Sequence, residues 1–103
     1  MKKNELWQYC KGVSDEVVNA YESGELWDYL SENALDVELR ISPNKVLRSV
    51  EYAITLGGPS VYIDTARKGV VAYWGGEESW CGLPTDICDQ LEYDAAEIYG
   101  YEN

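Results

Sequence analysis

Histidine and phenylalanine are absent from this 103-residue chain, and basic residues are scarce. Without histidine, the chain lacks the commonest general base, the usual partner of a serine or cysteine nucleophile and the commonest metal ligand. The glycines form neither a GxGxxG nor a P-loop pattern, so no motif supports nucleotide binding. Glu77 and Glu78, near Asp64, lack the spacing of an EF-hand or any other metal motif. We therefore predict a protein that is not an enzyme, with no catalytic residues, no cofactor and no metal site.

Cysteine is also sparse, at Cys10, Cys81 and Cys88. An odd number with no C-x-x-C pair argues against a disulfide framework and against a zinc site. No apolar run approaches the roughly 18–20 residues that span a bilayer, and the first residues are too polar for the apolar core of a signal peptide. We expect reduced, mostly buried cysteines in a cytoplasmic protein that has no membrane partner.

Positive charge is the most conspicuous deficit. Nineteen Asp and Glu residues oppose eight Lys and Arg residues, which gives a formal net charge of −11. No basic residue follows Lys68, whereas eight acids lie between Glu77 and Glu102. Such a chain is repelled by nucleic acid and by anionic membranes, and it is attracted to basic clefts on other proteins. An acidic surface that serves solubility alone is the alternative, and the composition leaves both open.

What the chain does contain is typical of one globular domain, residues 1–103. Apolar residues make up 46% of the sequence, and the aromatic residues are tyrosine and tryptophan. Helical periodicity occurs at both ends, and strict alternation of apolar and polar residues occurs between them. We predict an α+β fold with short N-terminal helices, a four-stranded antiparallel meander and an acidic C-terminal helix that packs on one face of the sheet.

The N-terminal third has apolar residues at helical spacing from Leu6 to Tyr21, and a further short helix is predicted at Glu25–Glu32. Asn4 and Ser14 are candidate N-caps, and Gly12 between them can end or bend a helix. The pattern fits three helices, or one bent helix followed by a short one.

Alternation predicts strands at Leu35–Ile41 and Val46–Leu56. Gly57–Gly76 then predicts a β-hairpin, with strands at Val61–Thr65 and Val70–Trp74. Successive tight connections favour an antiparallel meander, because parallel pairing needs long crossovers. Gly75–Gly82 is predicted to be a loop, with room for a short extended piece at Ser79–Cys81. The solvated face of this sheet would carry Asp36, Glu38, Arg40, Glu51 and Asp64.

The last helix is predicted to begin with Thr85 as its N-cap, to run to about Tyr99 and to stop at Gly100. Its acids lie outside an apolar stripe and have no base on the same helix to pair with. Carboxylates spaced along a rigid helix can imitate backbone phosphates; an ordinary solvated helix face is the alternative. The candidate partner-binding acids are Asp86, Asp89, Glu92, Asp94 and Glu97, together with Asp64 on the sheet.

Two tryptophans near the hairpin, Trp74 and Trp80, complete the candidate site. Tyrosine and tryptophan are the residue types most enriched at interface hot spots. The alternative is that both rings pack in the core or at the edge of the sheet.

Three stretches resemble a known group of proteins: LWDYLSENALDVELRI, GGPSVYIDT and VVAYWGG, followed by the acidic last helix. Over roughly Leu26–Tyr99 the chain is similar to small proteins from mobile elements of gut Firmicutes, and among them to the small type II-A anti-CRISPR proteins. The resemblance implies a protein that blocks an RNA-guided, DNA-cutting effector nuclease inside a bacterial host cell. Anti-CRISPR families share no common inhibitory residues, so the resemblance assigns no binding residue here.

Taken with the charge, the resemblance gives the expected function. It implies an inhibitor that binds a basic surface of a type II CRISPR effector, by mimicry of nucleic acid, without itself binding nucleic acid. The alternative is a non-catalytic interaction or regulatory domain of a mobile element that binds its partner through the aromatic hairpin.

Overall fold

Helices lie on one side of an antiparallel sheet in the computed structural model, which describes residues 2–103. Within that range, no helix combines the length and the apolar character needed to cross a membrane. The predicted α+β class is confirmed. The elements, in chain order, are α1 (Lys3–Glu22), α2 (Leu26–Asn33), β1 (Asp36–Ile41), β2 (Leu47–Thr55), β3 (Ser60–Asp64), β4 (Gly69–Trp74), β5 (Glu77–Gly82) and α3 (Thr85–Tyr99).

The sheet is an antiparallel meander in the order β1-β2-β3-β4-β5, so it has five strands and not the predicted four. The missed strand, β5, replaces most of the predicted loop at Gly75–Gly82. Gly75 and Gly76 both have positive φ, at 53° and 89°, as a two-residue hairpin turn of type I′ requires. Trp74 therefore pairs directly with Glu77. Alternation failed to predict β5 because its first residues are acidic and disfavoured in strands.

The N-terminal segments form one continuous helix, α1, followed by the short α2, so the alternative of three separate helices is wrong. Asn4 does not cap it, since Lys2 occupies the N-cap position, and Ser14 lies inside the helix with its side chain buried. Gly12 also lies within it and costs about 1 kcal/mol relative to alanine. Burial of the Leu6, Cys10 and Val17 face exceeds that cost, because each fully buried aliphatic side chain contributes roughly 1.5–3 kcal/mol.

Both long helices pack on the same face of the sheet, which we call the inner face. α1 lies against β4 and β5, and α3 lies against β2, so the predicted packing of the last helix on one sheet face is confirmed. The inner-face side chains form a single core with both helices. The core residues contributed by the sheet include Val50, Tyr52, Val61, Ile63, Val70 and Ala72.

The ends of several elements differ from the predicted ones by one or two residues. Pro84, not Thr85, is the N-cap of α3, whereas Gly100 ends that helix in a left-handed conformation (φ 78°) as predicted. Thr65, predicted as the last residue of a strand, lies in the turn after β3. There its hydroxyl, in place of a backbone carbonyl, accepts a hydrogen bond from the Val50 amide at 2.9 Å. Leu35 and Leu56, predicted at strand ends, are exposed and lie outside the strands.

Candidate functional site

The face of the sheet opposite the helices, the outer face, is one of two candidate surfaces. Strand register places Glu38 opposite Glu51, and Glu51 opposite Asp64, on this face. Val71 is 1% exposed yet does not belong to the core shared with the helices. It is buried because its register neighbours Tyr62 and Trp80 flank it on this side. The outer face is therefore covered by its own side chains and carries both acidic and aromatic groups.

Arg40 organises the acidic part of the outer face. Its guanidinium donates to both carboxylate oxygens of Asp64, at 2.9 and 3.3 Å, and to Ser49 Oγ at 3.1 Å. A second carboxylate, Glu51, accepts from Arg40 Nη2 at 3.4 Å, which makes a cross-strand ion pair between β1 and β2. Asp64 also accepts from the Ala66 amide at 3.0 Å. Asp64 is thus bound within the sheet.

The pKa values in this cluster reflect both burial and the charges of its members. The hydrogen bond to Asp64 raises the pKa of Arg40, which stays charged. Burial raises the pKa of Glu51, nearby Asp64 raises it further, and Arg40 opposes both effects. Because Arg40 is the one base that pairs with both Asp64 and Glu51, the cluster keeps a net negative charge, but both carboxylates are held within the sheet.

Trp80 dominates the aromatic part of the outer face. Its indole Nε1 donates to the Arg67 carbonyl at 3.0 Å, and its ring lies over Gly69 and Gly82. A methyl group on Gly69 would lie 2.5 Å from Nε1 and 2.5 Å from the Cys81 carbonyl oxygen, so this position requires glycine. The ring is nevertheless 47% exposed, and it presents an apolar surface to solvent.

Trp74 lies elsewhere, at the end of the sheet near the Gly58 turn. Alternation along β4 turns it away from the outer face, and its ring contacts Gly58. It lines an open cleft of about 620 Å³ beside the Gly75-Gly76 turn and Tyr73. The two tryptophans predicted to act together therefore lie on opposite faces of the sheet.

The second candidate surface, the acidic strip, is the exposed side of α3. Ile87, Leu91 and Ala95 face the core, which leaves the carboxylates on the other side of the helix. Asp86, Asp89 and Glu97 are exposed, and Glu92 and Asp94 are partly buried at the margins.

No ion pair found among the described side chains, those of residues 2 and 4–103, involves an acid of the strip, in contrast to those made by Lys11, Arg40 and Arg67. Asp94 accepts a hydrogen bond from the amide of Gln90 at 2.8 Å. Burial raises the pKa of the Cys88 thiol near the start of α3, and the nearby positive charge of Lys68 lowers it. The acidic strip is therefore a surface of unpaired negative charge.

One exposed aromatic residue in the acidic strip was missed by the sequence reasoning. Tyr93 is 55% exposed and lies one turn from both Asp89 and Glu97, at i+4 and i−4. The four-residue spacing from Asp89 and Glu97 is a sequence signal that places Tyr93 on the same side of the helix as these acids, opposite the predicted apolar stripe. Tyr93 gives the strip an aromatic group at its centre.

The predicted site residues thus fall on separate surfaces. The acids of α3 form the strip, Asp64 and Trp80 lie on the outer face of the sheet, and Trp74 lies at the sheet end. Asp64, predicted to be a solvated partner-binding acid, is buried and held by Arg40, because register brings β1, β2 and β3 side by side at this point. The structure describes no group of three or more metal-ligating side chains between residues 2 and 103.

Comparisons with known proteins add no identification. No family model, no curated protein and no solved structure matches this chain.

Proposed function

We propose that this protein is a non-catalytic inhibitor that uses the acidic strip of α3 to bind a basic surface on a nucleic-acid-handling protein. The observation that carries the proposal is the unpaired state of the strip, since no ion pair among the side chains that the structure describes (residues 2 and 4–103) neutralises its acids. Like charges at helical spacing repel and destabilise a helix by a few tenths of a kcal/mol per pair. A basic partner would relieve this repulsion.

The spacing of the strip suits a surface that normally holds a nucleic acid backbone. Asp86 and Asp89 are separated by roughly 4.5 Å along the helix axis, and Asp89 and Glu97 by about 12 Å, at 1.5 Å rise per residue. Phosphates of one DNA strand are separated by about 3.4 Å along the duplex axis. Fixed carboxylates at comparable intervals can occupy several of the lysine and arginine sites that phosphates would occupy.

The target that we propose is a type II CRISPR effector, as the resemblance to type II-A anti-CRISPR proteins implies. Such an effector holds its guide–target duplex in a positively charged channel and reads the motif beside the target with arginines. Both regions have the charge that the acidic strip requires. The net charge of −11 would also speed the encounter with such a channel.

The proposal predicts binding that depends strongly on salt. Affinity for a purified type II effector loaded with guide RNA should fall at least tenfold between about 50 and 200 mM salt, because exposed charge pairs are screened over this range. Fluorescence anisotropy of this protein, labelled at its amino terminus, measures the dissociation constant at each concentration. An affinity that does not change with salt would contradict binding through the acidic strip.

The outer face favours one other function, an interaction domain that binds through aromatic side chains. Trp80 is 47% exposed there, and Tyr62 and Tyr73 form an edge-to-face pair with ring centroids 5.9 Å apart. In that case partner binding would be insensitive to salt and would be lost in Trp80→Phe, which removes the indole N–H and reduces the exposed ring. Neutralising the acids of α3 would leave partner binding unchanged.

A further inference from the structure

A pocket of about 360 Å³ lies between α2, the start of β1 and the end of α3, on the helical side of the molecule. Three aromatic residues line it: Trp27 from α2, Tyr52 from β2 and Tyr99 from α3. Trp27 and Tyr99 are each 42% exposed, so their rings are accessible from solvent. Its volume is within the range of small-ligand sites, roughly 300–1,000 Å³.

Tyr52 carries an unexplained polar group at this pocket. The residue is 3% exposed, and its hydroxyl has no hydrogen-bond partner among the described side chains and backbone groups, in which only the Lys3 side chain and Met1 are not included. A buried hydroxyl without a partner costs about 1–3 kcal/mol, and such groups are rare in folded proteins. The hydroxyl lies near α3, since Tyr99 and Asp94 add to the effect of burial in raising its pKa. A ligand group that entered between Trp27 and Tyr99 would approach it.

The charges around the pocket select the kind of ligand. Asp36 lies at its margin, with its side chain on the outer-face side of β1, Asp94 acts on the Tyr52 hydroxyl, and no Lys or Arg is among the described residues that form its wall. Burial raises the pKa of Tyr52 to about 12, so its oxygen is a neutral phenol at physiological pH and has lone pairs free to accept a hydrogen bond. An anion would be repelled here, whereas a cation would meet aromatic faces and a carboxylate.

We propose that this pocket binds an arginine side chain of a partner protein. The planar guanidinium can stack on the rings of Trp27 and Tyr99 and donate to the Tyr52 hydroxyl. Arginine suits this arrangement better than lysine, because its planar group stacks on aromatic faces and is less strongly hydrated. Tyr99 is the last residue of α3, so the pocket lies at the end of the helix that carries the acidic strip. If the proposed function holds, a basic partner that extends past this end of the helix can contact the strip and fill the pocket.

The test uses the full chain and N-acetyl-arginine amide as the probe. The sequence has four tryptophans, so the indole N–H resonance of Trp27 is assigned with Trp27→Phe and then followed in ¹⁵N-labelled protein. We expect the probe to shift this resonance with saturation in the millimolar range. N-acetyl-lysine amide should bind more weakly, and N-acetyl-leucine amide should cause no saturable shift.

Tyr52→Phe separates a binding role from a structural one. It should weaken binding of the arginine probe about three- to tenfold, the effect of one hydrogen bond, while the melting temperature stays equal to or above that of the parent. The matched control Tyr62→Phe, on the outer face, should bind the probe as the parent does. Absence of a saturable shift, an equal response to the leucine probe, or unchanged binding by Tyr52→Phe would each overturn the proposal. A failure of the proposed function would leave all of these results unchanged, because no nucleic-acid-handling protein is present.

Discussion

Neutralising three acids of α3 should weaken binding to the basic partner about 10- to 100-fold. The variant is Asp89→Asn, Glu92→Gln and Glu97→Gln, which keeps the size of each side chain and removes its charge. An exposed ion pair contributes about 0.2–1 kcal/mol, and about 1.4 kcal/mol corresponds to a tenfold change in affinity, so three lost pairs from the upper half of that range account for the expected loss. The measurement is the dissociation constant for the guide-loaded type II effector at about 50 mM salt, by anisotropy.

The matched control removes the same number of charges from another part of the chain. Glu5, Glu22 and Glu25 are exposed and lie on α1 or just before α2. Changing all three to glutamine removes as much negative charge as the α3 variant does. We expect a change of less than about threefold, from the weaker long-range attraction alone. Equal losses in the two variants would mean that total charge, and not the acidic strip, governs binding.

Gly69→Ala should destabilise the protein by about 2–3 kcal/mol, within the range for a side chain forced into a packed site. The added methyl group would lie 2.5 Å from the Cys81 carbonyl oxygen and 2.5 Å from Trp80 Nε1. One of these neighbours is backbone in the adjacent strand, so it cannot rotate away. Since 1 kcal/mol shifts the melting temperature of a domain of this size by about 4–8 °C, calorimetry should find a fall of roughly 8–24 °C.

Gly12→Ala is the control, and the expected change has the opposite sign. Gly12 lies inside α1, where an added methyl group meets nothing within 4 Å. Alanine at a helix interior is favoured over glycine by roughly 0.5–1 kcal/mol, so the melting temperature should rise by a few degrees. A Gly69→Ala protein as stable as the parent would show that Trp80 and β5 shift easily, and that Trp80 is not fixed against Gly69.

The fold was predictable wherever hydrophobic periodicity was strong. Apolar and polar residues alternate along the first two strands, and Gly100 ends the last helix. Both features depend only on residues that are close in sequence. Two elements escaped this reasoning. β5 begins with acidic residues and is held by pairing with β4, a tertiary effect, and α1 continues through Gly12 because the sheet buries one side of it.

The candidate site was less predictable than the fold, because it depends on which elements become neighbours. The acids of α3 could be placed on one helix from their spacing, and the structure keeps them together. Asp64 could not be recognised as buried, since its burial depends on Arg40, which is 24 positions away in the chain. The pocket at Tyr52 combines α2, β2 and α3, and no sequence pattern links those three segments.

Inhibition of DNA cleavage is the most direct test of the central claim, that this acidic protein occupies a basic nucleic-acid-binding surface. A purified type II effector loaded with guide RNA would be titrated with this protein either before or after the target DNA is added. The account predicts cleavage that falls with increasing protein when the protein is added first, and much weaker inhibition once DNA is bound. Unaltered cleavage by several type II effectors, at low salt and with the protein in excess, would contradict it.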